Sequence, residues 1–179
     1  MKKVLLHICC GVCASSVVQR LRAEGFQPIG FFYNPNIHPE SEYFKRQNVA
    51  GEVSRILKFE LIIAPYDQDS WFAQIKGLEA EPEGGRRCSV CFKLRLEGTQ
   101  KKASQMNISN FTSTLTVSPH KDTAVVNQIG KKVAPSGFLA YDFKKQDGFY
   151  LAIDFAKQYN LYRQDYCGCI YSKQTRHQC

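Results

Sequence analysis

The sequence KKVLLHICCGVC, residues 2–13, opens with a run of apolar, mostly branched side chains that ends in cysteines and a glycine. Such a run is typical of a buried strand, which we predict over residues 2–8. Gly11 makes a sharp turn easy where the run ends. Apolar side chains then recur at helical spacing over residues 14–24, and Gly25 ends the pattern. This part of the chain is therefore predicted to be a strand, a turn and a helix.

The alternation of strand and helix continues along the chain. Runs of β-branched and aromatic residues predict further strands at residues 28–33, 59–64 and 111–117. Strands that alternate with helices form a mainly parallel sheet with helices on both faces, and we expect one such α/β domain over residues 1–179. The remaining predicted helices cover residues 40–57, 70–76, 89–104, 122–132 and 148–159.

Ligands of a parallel sheet bind beyond the carboxyl ends of its strands. The loops after the four predicted strands would border one crevice, so their polar side chains are weaker candidates for contacting a substrate or donating a proton. An alternative role for the loop carboxylate is to cap the next helix. His7, inside the first strand, is expected to be a core histidine or a support for a metal ligand. The loop candidates are Tyr33, Asn34, Asp67, Ser118, His120 and Lys121.

Seven of the eight cysteines stand in three tight groups that are far apart in the sequence. Structural zinc takes four ligands, so seven thiols exceed what a single zinc needs. An iron–sulfur cluster with further thiols beside it is the interpretation that we favour over zinc or structural thiols. The eighth, Cys179, is predicted to be a frayed terminal thiol. The three groups are Cys9/Cys10/Cys13, Cys88/Cys91 and Cys167/Cys169.

The sequence predicts one role for the second cysteine group and leaves two roles open for the third. Cys88 and Cys91 lie three residues apart at a predicted helix start, so both side chains can face one site. The sequence Cys167-Gly168-Cys169 admits two interpretations. It either provides ligands for a second metal or forms a redox-active dithiol that stores two electrons.

The compartment follows from the cysteines and from hydropathy. The apolar start is too short for a signal peptide, because cysteines interrupt it from Cys9 onward. No other run approaches the length of a membrane span. We therefore expect a cytoplasmic protein with no membrane partner, in a compartment that keeps thiols reduced. The same argument disfavours a disulfide scaffold, which is typical of small secreted chains.

The chain carries 24 Lys/Arg and 16 Asp/Glu, a net charge of +8. The excess lies in the second half, because residues 86–179 contain 15 Lys/Arg and 6 Asp/Glu. A basic surface of this kind favours a polyanionic partner such as a nucleic acid, although a solvated surface without a partner has the same composition. Lys144 and Lys145, beside Phe143, are our preferred phosphate contacts.

Seven motifs in order carry a resemblance to a known family: HICCGVC (7–13), FFYNPNIHP (31–39), EYFKRQ (42–47), GGRRCSVC (84–91), FTSTLTVSPHK (111–121), DFKK (142–145) and YRQDYCGCIYS (162–172). Together they resemble the cobalamin-independent epoxyqueuosine reductase family, QueH, over nearly the whole chain. One departure is Gly11-Val12, where Ala-Pro is common in the family. It changes the stiffness of the turn and removes no ligand.

The resemblance implies a fold similar to the adenine-nucleotide hydrolase-like (HUP, PP-loop) group. The implied activity is reductive deoxygenation of the epoxide of epoxyqueuosine in tRNA, the last step to queuosine, with an electron donor that the sequence does not identify. It also implies a [4Fe-4S] cluster on Cys9, Cys10, Cys88 and Cys91. The redox-active pair, or the ligands of a second iron, would be Cys167 and Cys169, and we expect Cys13 to lie beside them as a catalytic thiol.

Two other functions remain open. One is an iron–sulfur-dependent tRNA sulfurtransferase that uses ATP, and the other is a non-catalytic, metal-stabilised module that binds nucleic acid. Related ATP-using sulfurtransferases carry a Ser-Gly-Gly phosphate cradle in the first loop, where this chain has Cys-Cys-Gly-Val-Cys, so ATP chemistry is disfavoured. The number of thiols exceeds structural need, which disfavours the module.

Overall fold

A four-stranded parallel β-sheet forms the centre of the computed structural model, which describes residues 1–176. The strand order is β3-β2-β1-β4. β1, which is buried from Val4 to His7, is central and pairs with β2 on one side and β4 on the other, as expected for a strand buried on both faces. The strands are β1 (Lys2–His7), β2 (Phe26–Phe32), β3 (Leu61–Ile63) and β4 (Phe111–Ser113).

Helices cover both faces of the sheet, as the alternating pattern predicts. α1 packs against α2 and α6, whereas α4 packs against α3, α5 and the strands β1 and β4. The predicted α/β fold class is thereby confirmed. The helices are α1 (Gly11–Ala23), α2 (Glu40–Leu57), α3 (Gln68–Ile75), α4 (Arg86–Gln105), α5 (Thr123–Val133), α6 (Gly148–Gln158) and α7 (Ile170–Arg176).

Two predictions of secondary structure need correction. The strand predicted over residues 111–117 ends at Ser113, and Thr114–Val117 forms a 3₁₀ turn. The Ser113 hydroxyl accepts a hydrogen bond from the backbone N–H of Leu115 and so starts the turn. Helix α7 was not predicted at all. Cys179 lies outside the described residues.

The register of the sheet brings the loops of the site together. His7, the last residue of β1, pairs with Phe31 on β2 and Ser113 on β4. The loops that follow these strands therefore leave the sheet at one edge. Within residues 1–176, no helix is both long and apolar enough to cross a membrane.

Candidate functional site

The first cysteine group lies where β1 gives way to α1. Cys10 is the N-cap residue of α1, and Cys13 lies in its first turn. The Cys9 sulfur accepts a hydrogen bond from the Thr114 hydroxyl at 3.2 Å. Gly11 has a different role from the predicted one: a Cβ there would lie 2.6 Å from the backbone N of Ala50 on α2. Glycine therefore lets α1 approach α2 closely.

Cys10 and Cys13 share a hydrogen bond that shifts their pKa values in opposite directions. A hydrogen bond from the Cys13 thiol lowers the pKa of Cys10 to about 6, against the opposing effect of burial, with help from the Gln164 amide. The same hydrogen bond, together with burial, raises the pKa of Cys13 well above its usual value. Helix N-termini favour such thiolates. The sequence Cys10-Gly11-Val12-Cys13 has the CxxC spacing, a signal that the sequence analysis overlooked.

The second and third cysteine groups meet around one small cavity. Cys88 and Cys91, in the first turns of α4, line it together with Cys167 and Cys169. Its volume is about 10 Å³, room for one water molecule, so a larger group would enter only as the walls move apart. Burial raises the pKa of Cys91 to about 11, although Arg95 opposes this.

Arg95 and Lys121 connect the three groups electrostatically. Arg95 is 2% exposed, and its charge interacts with cysteines of all three groups: Cys91, Cys9, Cys167 and Cys88. Burial alone would lower the pKa of Lys121, but attraction to Cys167 and Cys9 outweighs it and raises the pKa. The salt bridges found within residues 1–176 leave Arg95 without a carboxylate partner. The negative charge nearest to these cations can therefore come from the thiols.

Hydrogen-bond donors around the cavity lack partners. Buried polar atoms normally find one, yet Trp71 Nε1, Arg87 Nε and Arg95 Nη2 have none within the described part of the chain. All three residues line the cavity. The Trp71 N–H lies where it would donate to the sulfur of Cys91 as a thiolate, which acts to lower the pKa of that thiol. The site is thus built to receive negative charge.

The thiols are not yet arranged as a metal-ligand set. In residues 1–176, no three or more His, Cys, Asp or Glu side chains lie close enough together to hold a metal ion. The seven cysteines of the three groups are all free of disulfides. Thiols, unpaired donors and buried cations suit a cluster with thiolate ligands, provided that the groups close in on it.

Two of the other predicted residues, and His7, have structural roles. Asp67 accepts a hydrogen bond from the backbone N–H of Ser70 and caps α3. Asn34 is buried, and its amide donates to the Ile8 carbonyl at 2.8 Å. His7 is a core histidine: Nε2 donates to the Tyr33 carbonyl, so Nδ1 accepts from the Ser113 hydroxyl, and burial lowers its pKa to about 3.

The remaining residues that were predicted to contact substrate or tRNA are either partly buried or exposed. Tyr33 is half-buried and stacks on Phe31. Lys144 donates from Nζ to the Lys121 carbonyl and the Thr123 hydroxyl, so it supports the loop of Lys121. The exposed residues are His120, whose N–H donates to the Ser118 hydroxyl, and Lys145.

Four residues were not assigned to the thiol site by sequence reasoning. Arg95 was detectable, since it lies four residues after Cys91 on a helix and so shares its face. Trp71, Gln164 and Arg46 reach the site through tertiary contacts, for which the sequence carries no local signal.

Comparison with known proteins identifies the family. Residues 4–175 match the family model described as epoxyqueuosine reductase QueH. Proteins of that name are 36% identical in Streptococcus pyogenes serotype M1, over 94% of this chain and 69% of the relative, and 37% identical in Haemophilus influenzae, over 95% and 71%. The protein of that name in Thermotoga maritima is 31% identical, over 96% and 91%.

Solved structures share the fold. One of them is described as a predicted subunit of tRNA methyltransferase from Methanocaldococcus jannaschii, and the TM-score is 0.60 over 86% of this chain and 75% of that one. Because the two sequences are only 15% identical, the likeness extends to the α/β fold alone.

Proposed function

The chain belongs to the QueH family of epoxyqueuosine reductases, and we propose that it is the oxidoreductase that converts epoxyqueuosine in tRNA to queuosine. The reaction removes the epoxide oxygen and leaves an alkene. It takes two electrons and two protons and releases the oxygen as water. The enzyme must therefore supply electrons from an external donor and stabilise oxygen as it leaves.

The observation that carries the proposal is that Arg95 interacts with cysteines of all three groups, and Lys121 with cysteines of the first and third. A buried cation without a counter-charge costs several kcal/mol, so evolution rarely retains one unless an anion meets it. Here the available anions are thiolates, and thiolates are the ligands of iron–sulfur clusters. Family membership favours reductase chemistry over the sulfurtransferase alternative.

We propose that Cys9, Cys10, Cys88 and Cys91 hold a [4Fe-4S] cluster. Bound there, the cluster would supply electrons one at a time. The unpaired N–H groups of Trp71 and Arg95 support this assignment, because hydrogen bonds to cluster sulfur stabilise the charge of the ligand set. The walls of the cavity would have to separate to admit it.

Three thiols remain beside that ligand set. Cys167 and Cys169 border the same cavity as Cys88 and Cys91, and Cys13 pairs with Cys10. A pair of thiols can deliver two electrons by closing to a disulfide, and the same thiols can also ligate a second iron. Either role fits a position next to the substrate.

Lys121 is our choice for stabilising the departing oxygen. Its ammonium is half-buried among Cys167, Cys9 and Cys13, whereas His120 is exposed and Asp67 caps a helix. A fixed cation stabilises the negative charge that develops on oxygen as the C–O bond breaks. Lys144 holds the carbonyl of Lys121 and so orients this loop.

We propose tRNA as the macromolecular substrate, in the cytoplasm, with Lys145 as a phosphate contact. The side chain is exposed and lies three residues from the start of α6 in the basic half of the chain. Contacts of this kind bind any sequence and weaken with salt. They would supply affinity, while the site at the sheet edge selects the modified base.

The test combines metal analysis with analysis of tRNA. Anaerobically purified protein should contain iron and inorganic sulfide in about equal amounts, as a [4Fe-4S] cluster requires. tRNA from cells lacking the gene should accumulate epoxyqueuosine, and wild-type chain but not Cys88→Ser should restore queuosine. A Cys179→Ser variant is the matched control. Restoration by Cys88→Ser, or protein free of sulfide, would contradict the assignment.

A further inference from the structure

Cys167 and Cys169 lie on a segment outside the helices and strands. Residues 162–169, here called the C-terminal segment, connect α6 to α7 and contain no helix or strand. Cys169 is held by the first turn of α7, because its sulfur and its carbonyl accept hydrogen bonds from the backbone N–H groups of Ser172 and Lys173. The rest of the segment, including Cys167, is held by side chains from other elements.

Arg46 of α2 makes the central contact. Its side chain is buried, and Nη1 donates to the Cys167 carbonyl at 3.0 Å while Nη2 donates to the Tyr166 carbonyl at 3.2 Å. The guanidinium also lies 5.0 Å from the centre of the Tyr166 ring. The flat, forked shape of this group suits two adjacent carbonyls, which a lysine could not bridge.

Glu42, one turn earlier on α2, orients Arg46 and reaches the other end of the segment. One carboxylate oxygen accepts from Arg46 Nε at 2.7 Å, and the other accepts from the Tyr162 hydroxyl at 2.8 Å. Side chains four residues apart on a helix meet in this way. The C-terminal segment is thus held at both ends by one buried ion pair.

The turn between the two cysteines is shaped against the same arginine. Gly168 has φ of 125°, which side chains rarely adopt, and an added Cβ would lie 3.0 Å from Arg46 Nη1. The Gly168 carbonyl accepts from the His38 backbone N–H at 2.8 Å. Gln164 extends the contacts to the first cysteine group, since its side-chain amide lies within hydrogen-bond distance of the Cys10 sulfur, at 3.1 Å.

We propose that Arg46, oriented by Glu42, is a positioning residue that fixes Cys167 and Cys169 against the thiols of the other groups. If the ion pair served stability alone, the Arg46 guanidinium would need to bond only to the Glu42 carboxylate. Here the guanidinium nitrogens that do not bond to Glu42 both donate to the backbone of the C-terminal segment. The inference rests on the proposed function only for the catalytic use of the two thiols.

The experiment compares Arg46→Lys with Arg22→Lys in the full chain under anaerobic conditions. Arg22 is the matched control, because its two terminal nitrogens also donate to adjacent carbonyls, Leu57 and Lys58, on an exposed surface. Iodoacetamide labelling with peptide mass spectrometry gives the rate at Cys167 relative to Cys88 in the same molecules. Hydrogen exchange gives the opening of residues 162–169.

In Arg46→Lys, we expect the rate ratio and the exchange of the C-terminal segment to rise about tenfold, as loss of one charge-assisted hydrogen bond predicts. Arg22→Lys should change neither. General destabilisation would raise both labelling rates together and leave their ratio unchanged. An unchanged ratio and exchange in folded Arg46→Lys overturns the proposal.

A second variant covers the case in which Arg46→Lys does not fold. Tyr162→Phe removes one hydroxyl from a partly exposed ring and leaves the ion pair in place. It should shift the same labelling ratio in the same direction by a smaller factor. An unchanged ratio in this variant would overturn the proposal. Hydrogen exchange can be measured on protein that contains no metal. If the purified protein lacked iron, the cluster proposal would be refuted, but the positioning role of Arg46 could still be tested.

Discussion

Replacing Arg95 by Met tests the charge arrangement of the thiol site most directly. Arg95 is 2% exposed, and the ion pairs found in residues 1–176 do not include it. Its charge instead faces Cys91 and Cys9 from two different groups. Met is similar in length and apolar, so the substitution removes the charge with little change in packing.

The expected size follows from Coulomb's law. Two unit charges about 5 Å apart interact by about 3 kcal/mol at an effective dielectric constant of about 20, which equals about two pKa units for a thiol. Burial already raises the pKa of Cys91 to about 11 against the pull of Arg95, so Arg95→Met should raise it further. The midpoint potential of a nearby cluster should fall by about 100 mV, because a less positive site binds an added electron less well.

Two assays separate charge from packing. A redox titration followed by electron paramagnetic resonance compares the wild-type chain with Arg95→Met and with Arg95→Lys, which keeps the charge. The alkylation rate of Cys91 at about pH 9 reports its thiolate fraction without any metal, and it should fall in Arg95→Met alone. Equal potentials and equal alkylation rates in all three proteins would refute the reasoning.

The effect on the free energy of unfolding should change sign with the charge of the thiols. When they are protonated, Arg95 is a buried cation without a counter-charge, so Met is neutral or stabilising by about 1–4 kcal/mol. When they are thiolates, the same substitution removes their counter-charge and destabilises the fold. Thermal melts with and without bound iron would measure both.

Three further substitutions probe the fold and the surface. The pKa of His7 is lowered to about 3, so the free energy of unfolding should fall by about 1.4 kcal/mol for each pH unit below about 6.5, and urea melts of His7→Gln should lack this slope. Gly11→Ala should cost about 1–3 kcal/mol in the same melts because its Cβ meets Ala50, whereas Gly51→Ala, which meets nothing, should not destabilise. Lys145→Glu should weaken tRNA binding in filter assays at low salt, with a difference that shrinks as salt rises.

The fold was largely predictable from local pattern. Helix α2 occupies residues 40–57, as its periodicity predicts, and β1 differs from its prediction by one residue. The prediction of the last strand, residues 111–117, extended too far. Every residue in that range is buried, both in the strand and in the turn that follows it, so the sequence pattern does not mark where the strand ends. Alternation of threonine with apolar residues signals a strand only where one face is exposed. The start of α7 escaped prediction because it directly follows the Cys-Gly-Cys turn.

The cysteines of the site could be predicted from the sequence, whereas its charged and polar residues were harder to identify. Three cysteine groups were visible in the sequence, and the fold brings together the loops and helix starts that carry them. Asp67 and Asn34 looked like site residues because polar side chains on such loops either meet a ligand or satisfy the backbone, and composition does not separate the two uses. Hydrogen bonds to Ser70 and Ile8 show that they serve the backbone.

Helix α4 explains why the positive charge of Arg95 is coupled to the packing of the protein core. Cys88, Cys91 and Arg95 follow one another at intervals of three and four residues, the spacing of a single helix face. A face that packs toward the core normally carries apolar side chains, and a cation there requires negative charge from another element. Cys9, at the end of the central strand, is placed to supply it. Arg95 of α4 and the Cys9 thiol, just after β1, therefore stabilise each other only when that thiol is ionised, which links the packing of α4 on the sheet to the ligand state of the site.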